Sequence, residues 1–237
     1  MISAGNDIVS LTATNVTRTK SPEFYSKIIS PAEKTLFNTV DQTALPFDRF
    51  VWLLWSVKES AYKYLHRLDP RIVFTPVKFE LKSIEIPAGY SCRESGAGEI
   101  TGRGFSDRAT FNAVVVFAGQ KLFARIAIHQ EFVSSVVNHT DNFEDIYWGI
   151  KRINDTSYKY QSTAVRDFAL VSLRKISGLG NLSIGKNEEE VPVLLSAGAL
   201  LETPISLSHH GHWIAFSFQT DHLAHKAIQG KNFSGVF

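Results

Sequence analysis

Apolar and polar positions change period several times along the chain, and each change predicts an element. Residues 5–11 (GNDIVSL) form a short, largely apolar run that reads as a strand. Residues 21–37 read as two helical pieces broken at Pro31, with Ser30 and Glu33 spaced as a capping box for the second. From 47 to 65, Phe50, Leu54, Val57, Ala61 and Leu65 recur at intervals of three and four and predict one amphipathic helix. Glu59 falls on its opposite face, and Lys63, one turn on, shares that face with Trp52 and Ser56. FELKSIEI (79–86) reads as a strand, and residues 87–104 as a polar surface loop or irregular hairpin. FNAVVVF and KLFARIAI, separated by Ala118-Gly119-Gln120, predict a β-hairpin.

The order then partly repeats. Asp145-Ile146-Tyr147 echoes Asp7-Ile8-Val9, and Ala164-Val165-Arg166-Asp167-Phe168-Ala169 echoes Ser56-Val57-Lys58-Glu59-Ser60-Ala61. Asp167 stands 108 positions after Glu59, and Leu173 keeps the same offset from Leu65. The second predicted helix ends near Ile176, and β-rich stretches (ISLS, HWIAFSF) follow it as they follow the first. The expected fold is therefore α+β: two similar half-units, a pseudo-dimer, each with a helix on a small antiparallel sheet. Residues 1–139 form the first half-unit and 140–237 the second, joined near HTDNFED, with the active site between them. Val171 stands where a counterpart of Lys63 would be, so only the first copy keeps the acidic and basic set.

Composition changes this picture little. With 237 residues, 44% of them hydrophobic, the chain can bury a sizeable core. A net charge of +2 without a basic cluster argues against a general nucleic-acid binder. Cys92 is the one cysteine, so neither an internal disulfide nor a thiolate metal cage is expected. The N-terminus does not read as a signal peptide, and no apolar run reaches membrane-spanning length. A cytoplasmic setting with no membrane partner is expected.

Three clusters carry candidate chemistry: Gly5-Asn6-Asp7-Ile8-Val9, Trp55-Ser56-Val57-Lys58-Glu59-Ser60-Ala61-Tyr62-Lys63, and Ser206-Leu207-Ser208-His209-His210-Gly211. Asp7 is a carboxylate in an apolar strand, and Glu59 one on the polar face of a helix. Meeting at a cleft, they would supply part of a magnesium octahedron, substrate phosphates and water completing it. Lys63 would face the same cleft as a point charge for phosphate. The third cluster, read as a turn between two strands, offers amide, hydroxyl and imidazole groups. Taken singly, each has a plain alternative: a strand-end aspartate, a surface i,i+4 ion pair, a turn histidine.

Taken in order, the three resemble the 4′-phosphopantetheinyl transferase superfamily, whose pattern is Gly-x-Asp-Ile, then Trp/Phe-x-x-Lys-Glu-Ser/Ala-x-x-Lys on a helix, then Ser-x-Ser-His. Here these stand as GNDIV, WSVKESAYK and SLSHHG. The motif order is that of the short holo-acyl-carrier-protein synthase type, while the length suits the long, surfactin-synthetase-activating type, as for a fused pseudo-dimer active as a monomer. Val9 stands where the long type often has a third acid, Asn6 replaces an apolar residue, and Glu190-Val191-Pro192 replaces Gly-Lys-Pro, with Lys186 nearby. The resemblance implies transfer of phosphopantetheine from coenzyme A to a serine of an acyl or peptidyl carrier protein. It places magnesium on Asp7 and Glu59, catalytic roles on Glu59 and Lys63, and coenzyme A contacts on Lys63, Ser208 and His209. Two rivals remain: a degenerate relative that binds coenzyme A or a carrier without transfer, and a non-enzymatic α+β interaction module.

Overall fold

The computed structural model describes residues 3–90, 98–105 and 110–220; Cys92 lies outside them. The strands are β1 (Gly5–Ser10), β2 (Glu80–Glu85), β3 (Glu99–Arg103), β4 (Thr110–Phe117), β5 (Gln120–Ile128), β6 (Phe132–Asn138), β7 (Ile146–Arg152), β8 (Leu182–Lys186), β9 (Pro192–Ser196), β10 (Ala199–Leu201), β11 (Ile205–His210) and β12 (Trp213–Gln219). The helices are α1 (Val16–Thr19), α2 (Pro22–Tyr25), α3 (Pro31–Phe37), α4 (Phe47–Leu68) and α5 (Tyr158–Ser177).

The architecture is α+β, with antiparallel pairing throughout three sheets: β1-β6-β5-β4-β2, β11-β12-β7-β3, and the small β10-β9-β8. The two larger sheets stack, with one long helix on each outer face. Helix α4 lays Phe50, Leu54, Val57, Ala61 and Leu65 on the first sheet, so the predicted stripe is the buried one. Helix α5 packs Val165, Phe168, Ala169 and Leu173 onto Ile214, Phe216 and Phe218 of β12. Alternate β12 residues, Trp213 and Ala215, point the other way and meet Ile8, Phe132 and Ile150 between the sheets. The apolar positions related by 108 residues (Val57 and Val165, Ala61 and Ala169, Leu65 and Leu173) are all buried.

Several elements differ from the expectation. Part of the predicted polar loop is strand β3, which crosses to pair with β7 in the other sheet. Strand β6 carries Ser134 and Ser135 among valines and is buried along its whole length, so it lacks the alternation that marks a half-exposed strand. Helix α5 begins at Tyr158, earlier than its apolar spacing suggested. Ser208, His209 and His210 lie within β11, not in a turn; the turn begins at Gly211, whose φ is +56°. The Ser30–Glu33 capping box forms as read, as does the β4–β5 hairpin, with Ala118 and Gly119 both at positive φ.

Candidate active site

Strand β1 and helix α4 approach unusually closely, and the sequence shows how. A Cβ at Gly5 would lie 2.1 Å from the Ser60 carbonyl oxygen and 2.9 Å from Tyr64 Cβ. Small serines fill the same contact: the hydroxyls of Ser56 and Ser60 lie 2.8 and 2.7 Å from Ser135 Oγ on β6. The hydroxyl of Ser134 donates to the Asp7 carbonyl at 3.1 Å. Glycine on the strand and serine on the helix thus bring Asp7 and Glu59 to one place.

Lys63 bridges the two carboxylates. Its ammonium is 3.0 Å from Asp7 Oδ1 and 3.2 Å from Glu59 Oε1, and donates to the Asn6 carbonyl at 3.2 Å. Asp7 Oδ2 is buried and has no hydrogen-bond partner. Burial, partly offset by Lys63 and reinforced by Glu59, pushes the Asp7 carboxyl up to about 7. Burial works against the Lys63 charge, but Asp7 and Glu59 outweigh it and hold its pKa above the ordinary value. Two oxygen donors, one of them orphaned, suit a hard divalent cation that takes its remaining ligands from substrate and water. No group of three or more His, Cys, Asp or Glu that could hold a metal occurs among the described residues.

Asp7, Glu59 and His209 line one cavity of roughly 370 Å³, walled by Phe24, Trp52 and Trp55. Val9 also lines it, on the same face of β1 as Asp7, as alternation requires. His209 faces it from β11, with its ring in edge contact with Tyr158. Burial, with smaller contributions from Lys63, Arg166 and His210, holds the His209 pKa below the usual histidine value.

The free edge of β1 is closed by side chains of β11. Ser206 Oγ accepts the Asn6 amide at 3.0 Å, and His210 Nδ1 accepts the Ser10 amide at 3.0 Å. Asn6 Nδ2 donates to Ser208 Oγ at 2.8 Å, and that hydroxyl donates to the Ala215 carbonyl at 3.4 Å. Ser208 is therefore buried in the seam with its hydroxyl engaged, beside the cavity but not among the residues that line it. The structure thus brings together Asp7, Glu59, Lys63 and His209, and sets Ser208 behind them.

Sequence reasoning missed the aromatic wall and the seam. Trp52 was legible as a residue of the Glu59 side of α4, and Trp55 only as the first residue of the helix motif. Phe24 reaches the cavity only through tertiary packing, 5.6 Å from the Trp52 ring. The amide-capping role of His210 left no sequence signal beyond its place two positions after Ser208.

Residues 3–111 match the family model of the 4′-phosphopantetheinyl transferase superfamily. That span takes in β1 and all of α4, with Asp7, Glu59 and Lys63, and stops short of Ser208 and His209. No curated protein and no solved structure gives a significant match. Over this N-terminal region the chain is similar to the 4′-phosphopantetheinyl transferase superfamily.

Proposed function

We propose that the protein transfers 4′-phosphopantetheine from coenzyme A to a serine of an acyl or peptidyl carrier protein, with magnesium held by Asp7 and Glu59. The observation that carries this reading is the buried, unpartnered Asp7 Oδ2 in a cavity shared with Glu59 and His209. Magnesium, when bound there, supplies positive charge to the pyrophosphate. Lys63, fixed between the carboxylates, holds a further charge against the phosphates. Glu59, partly exposed to the cleft, takes the proton from the incoming serine hydroxyl. The serine oxygen bonds to the β-phosphorus, and the bond to the bridging oxygen breaks. 3′,5′-Adenosine bisphosphate leaves with that electron pair. The walls of Phe24, Trp52 and Trp55 exclude water and receive the pantetheine arm. His209 contacts a phosphate of coenzyme A, and Ser208 supports it by holding Asn6 and the edge of β1.

We further read the chain as a pseudo-dimer, with half-units 1–139 and 140–237 and the site between them, active as a monomer. In both halves the first strand pairs with the last, and the last with the one before it: β1-β6-β5 and β7-β12-β11. The acid of the second helix, Asp167, is exposed, so the second half contributes His209 instead of a second metal site. Fatty-acid, polyketide and peptide-synthetase carriers all suit the reading, and among the described residues no helix is long and apolar enough to cross a membrane.

The test is mass spectrometry of an apo acyl carrier protein incubated with the protein, coenzyme A and magnesium. The expected result is a gain of one phosphopantetheine on the carrier serine, lost when magnesium is chelated and abolished by Glu59→Gln with the fold intact. Normal turnover by Glu59→Gln would sink the assignment. Coenzyme A binding without any transfer would identify the degenerate relative instead.

A further inference from the structure

A second cavity, of roughly 270 Å³, lies between the C-terminal part of α4 and β11, and Lys63, the partner of Asp7 and Glu59, lines it. It also holds Arg67, a residue to which the transfer chemistry assigns no role. Arg67 Nη1 donates to the Pro192 carbonyl at 3.0 Å, and Nη2 donates to the Ile205 carbonyl. Its Nε is buried without a hydrogen-bond partner. Among the described residues no carboxylate pairs with it, and burial alone brings its pKa down to about 10. A half-buried cation held only by neutral carbonyls carries an uncompensated desolvation cost, and an arriving anion would offset that cost. Ser206, in the same cavity, accepts the Asn6 amide, which leaves its own proton free to donate. The acids at the rim do not fill the role. Glu190 is engaged by Lys186, and Glu189 is exposed.

We propose that this cavity is a second anion subsite, in which Arg67 and the Ser206 hydroxyl bind a phosphate monoester. Arginine suits phosphate because its planar fork keeps directed N–H groups available after two have been used. Lys63 lines this cavity and pairs with Asp7 and Glu59, which line the other, so one ligand can place a pyrophosphate at Lys63 and a separate phosphate at Arg67. Taken with the proposed function, that ligand is coenzyme A, and Arg67 reads its 3′-phosphate; the coenzyme A identification rests on that function, the anion subsite does not.

The experiment is calorimetry on the full chain with adenosine 3′,5′-bisphosphate and with adenosine 5′-monophosphate, which lacks the second phosphate. The wild type should bind the bisphosphate at least about tenfold more tightly, and Arg67→Gln should bring the two affinities together. Equal affinities in the wild type, or an unchanged ratio in the variant, would overturn the subsite. Should Arg67→Gln fail to fold, the wild type is titrated with inorganic phosphate while the Arg67 Nε–H resonance is followed by NMR. A saturable shift supports the subsite and an unmoved resonance overturns it. Neither measurement requires transfer. A preserved ratio without carrier modification would refute the proposed function alone, and carrier modification without discrimination would refute Arg67 alone.

Discussion

Lys58 Nζ lies 2.7 Å from Glu33 Oε2, and neither side chain is exposed at all. The ammonium also donates to the Ile28 carbonyl at 2.6 Å. Glu33 accepts the Ser30 amide on Oε2 and the Leu81 amide on Oε1, each at 2.8 Å. One capping-box glutamate thus ties α3, α4 and β2 together beneath the site. The lysine immediately before Glu59 is turned into the core, and Lys63 is the cation left for the cleft.

Removing one partner of this pair strands a buried charge. Burial, partly offset by Glu33, already holds the Lys58 pKa below its ordinary value. Glu33→Gln should cost about 3–5 kcal/mol, read as a lower urea midpoint. Lys58→Met should cost less, because the Glu33 carboxylate keeps its amide donors, and the double variant should recover part of the Glu33→Gln loss. Additive losses in the double variant would show that the two residues act independently.

The second prediction concerns the approach of β1 to α4. An added methyl at Gly5 meets backbone, not a movable side-chain tip: the Ser60 carbonyl at 2.1 Å. Strand and helix must separate, which displaces Asp7 from Glu59. Gly5→Ala should lower stability by about 1–3 kcal/mol or more and reduce transfer at least about a hundredfold even where the variant remains folded. Retention of both stability and rate would mean that the close approach is not needed.

How much of this was legible depended on whether a residue's partner lay nearby in sequence. The α4 stripe and the Ser30–Glu33 box are local patterns and stand as read. Asp7, Glu59 and Lys63 were picked out because residue type and order carry them, although Lys63 reaches Asp7 across 56 positions. Strand β3 was hidden because its five residues gain their order only by pairing with β7, far along the chain. The second cavity was hidden for the same reason: Arg67 reaches Pro192 and Ile205 across 125 and 138 positions. At the end of an amphipathic helix, an arginine reads as ordinary surface charge until those partners are known.

The third prediction separates two roles for Ser208. If its hydroxyl serves the seam, Ser208→Ala leaves Asn6 Nδ2 without an acceptor and costs about 1–3 kcal/mol, while the KM for coenzyme A stays within about twofold. If the hydroxyl contacts the nucleotide, KM rises about tenfold and stability changes little. Urea unfolding and steady-state kinetics on one variant distinguish the outcomes, and we expect the first. His209→Ala should show the reverse pattern, because its ring faces the cavity.

The last prediction follows from the Asp7 carboxyl, pushed from 3.8 up to about 7 chiefly by burial. A raised carboxyl binds its proton more tightly in the folded state than in the unfolded one. Its contribution therefore favours folding most below pH 3.8 and is lost as pH rises to about 7, the reverse of an ordinary salt-bridged aspartate. Without magnesium, Asp7→Asn should be more stable than the wild type at pH 8, by on the order of 1 kcal/mol or more. That advantage should shrink steadily toward pH 4. Magnesium competes with the same proton, so its affinity for the wild type should rise by up to about tenfold per pH unit below pH 7 and level off above it. Paired urea titrations at pH 5 and pH 8, with magnesium calorimetry at both, measure each effect separately. A magnesium affinity independent of pH, or an Asp7→Asn variant no more stable at pH 8 than the wild type, would place the proton elsewhere than on Asp7.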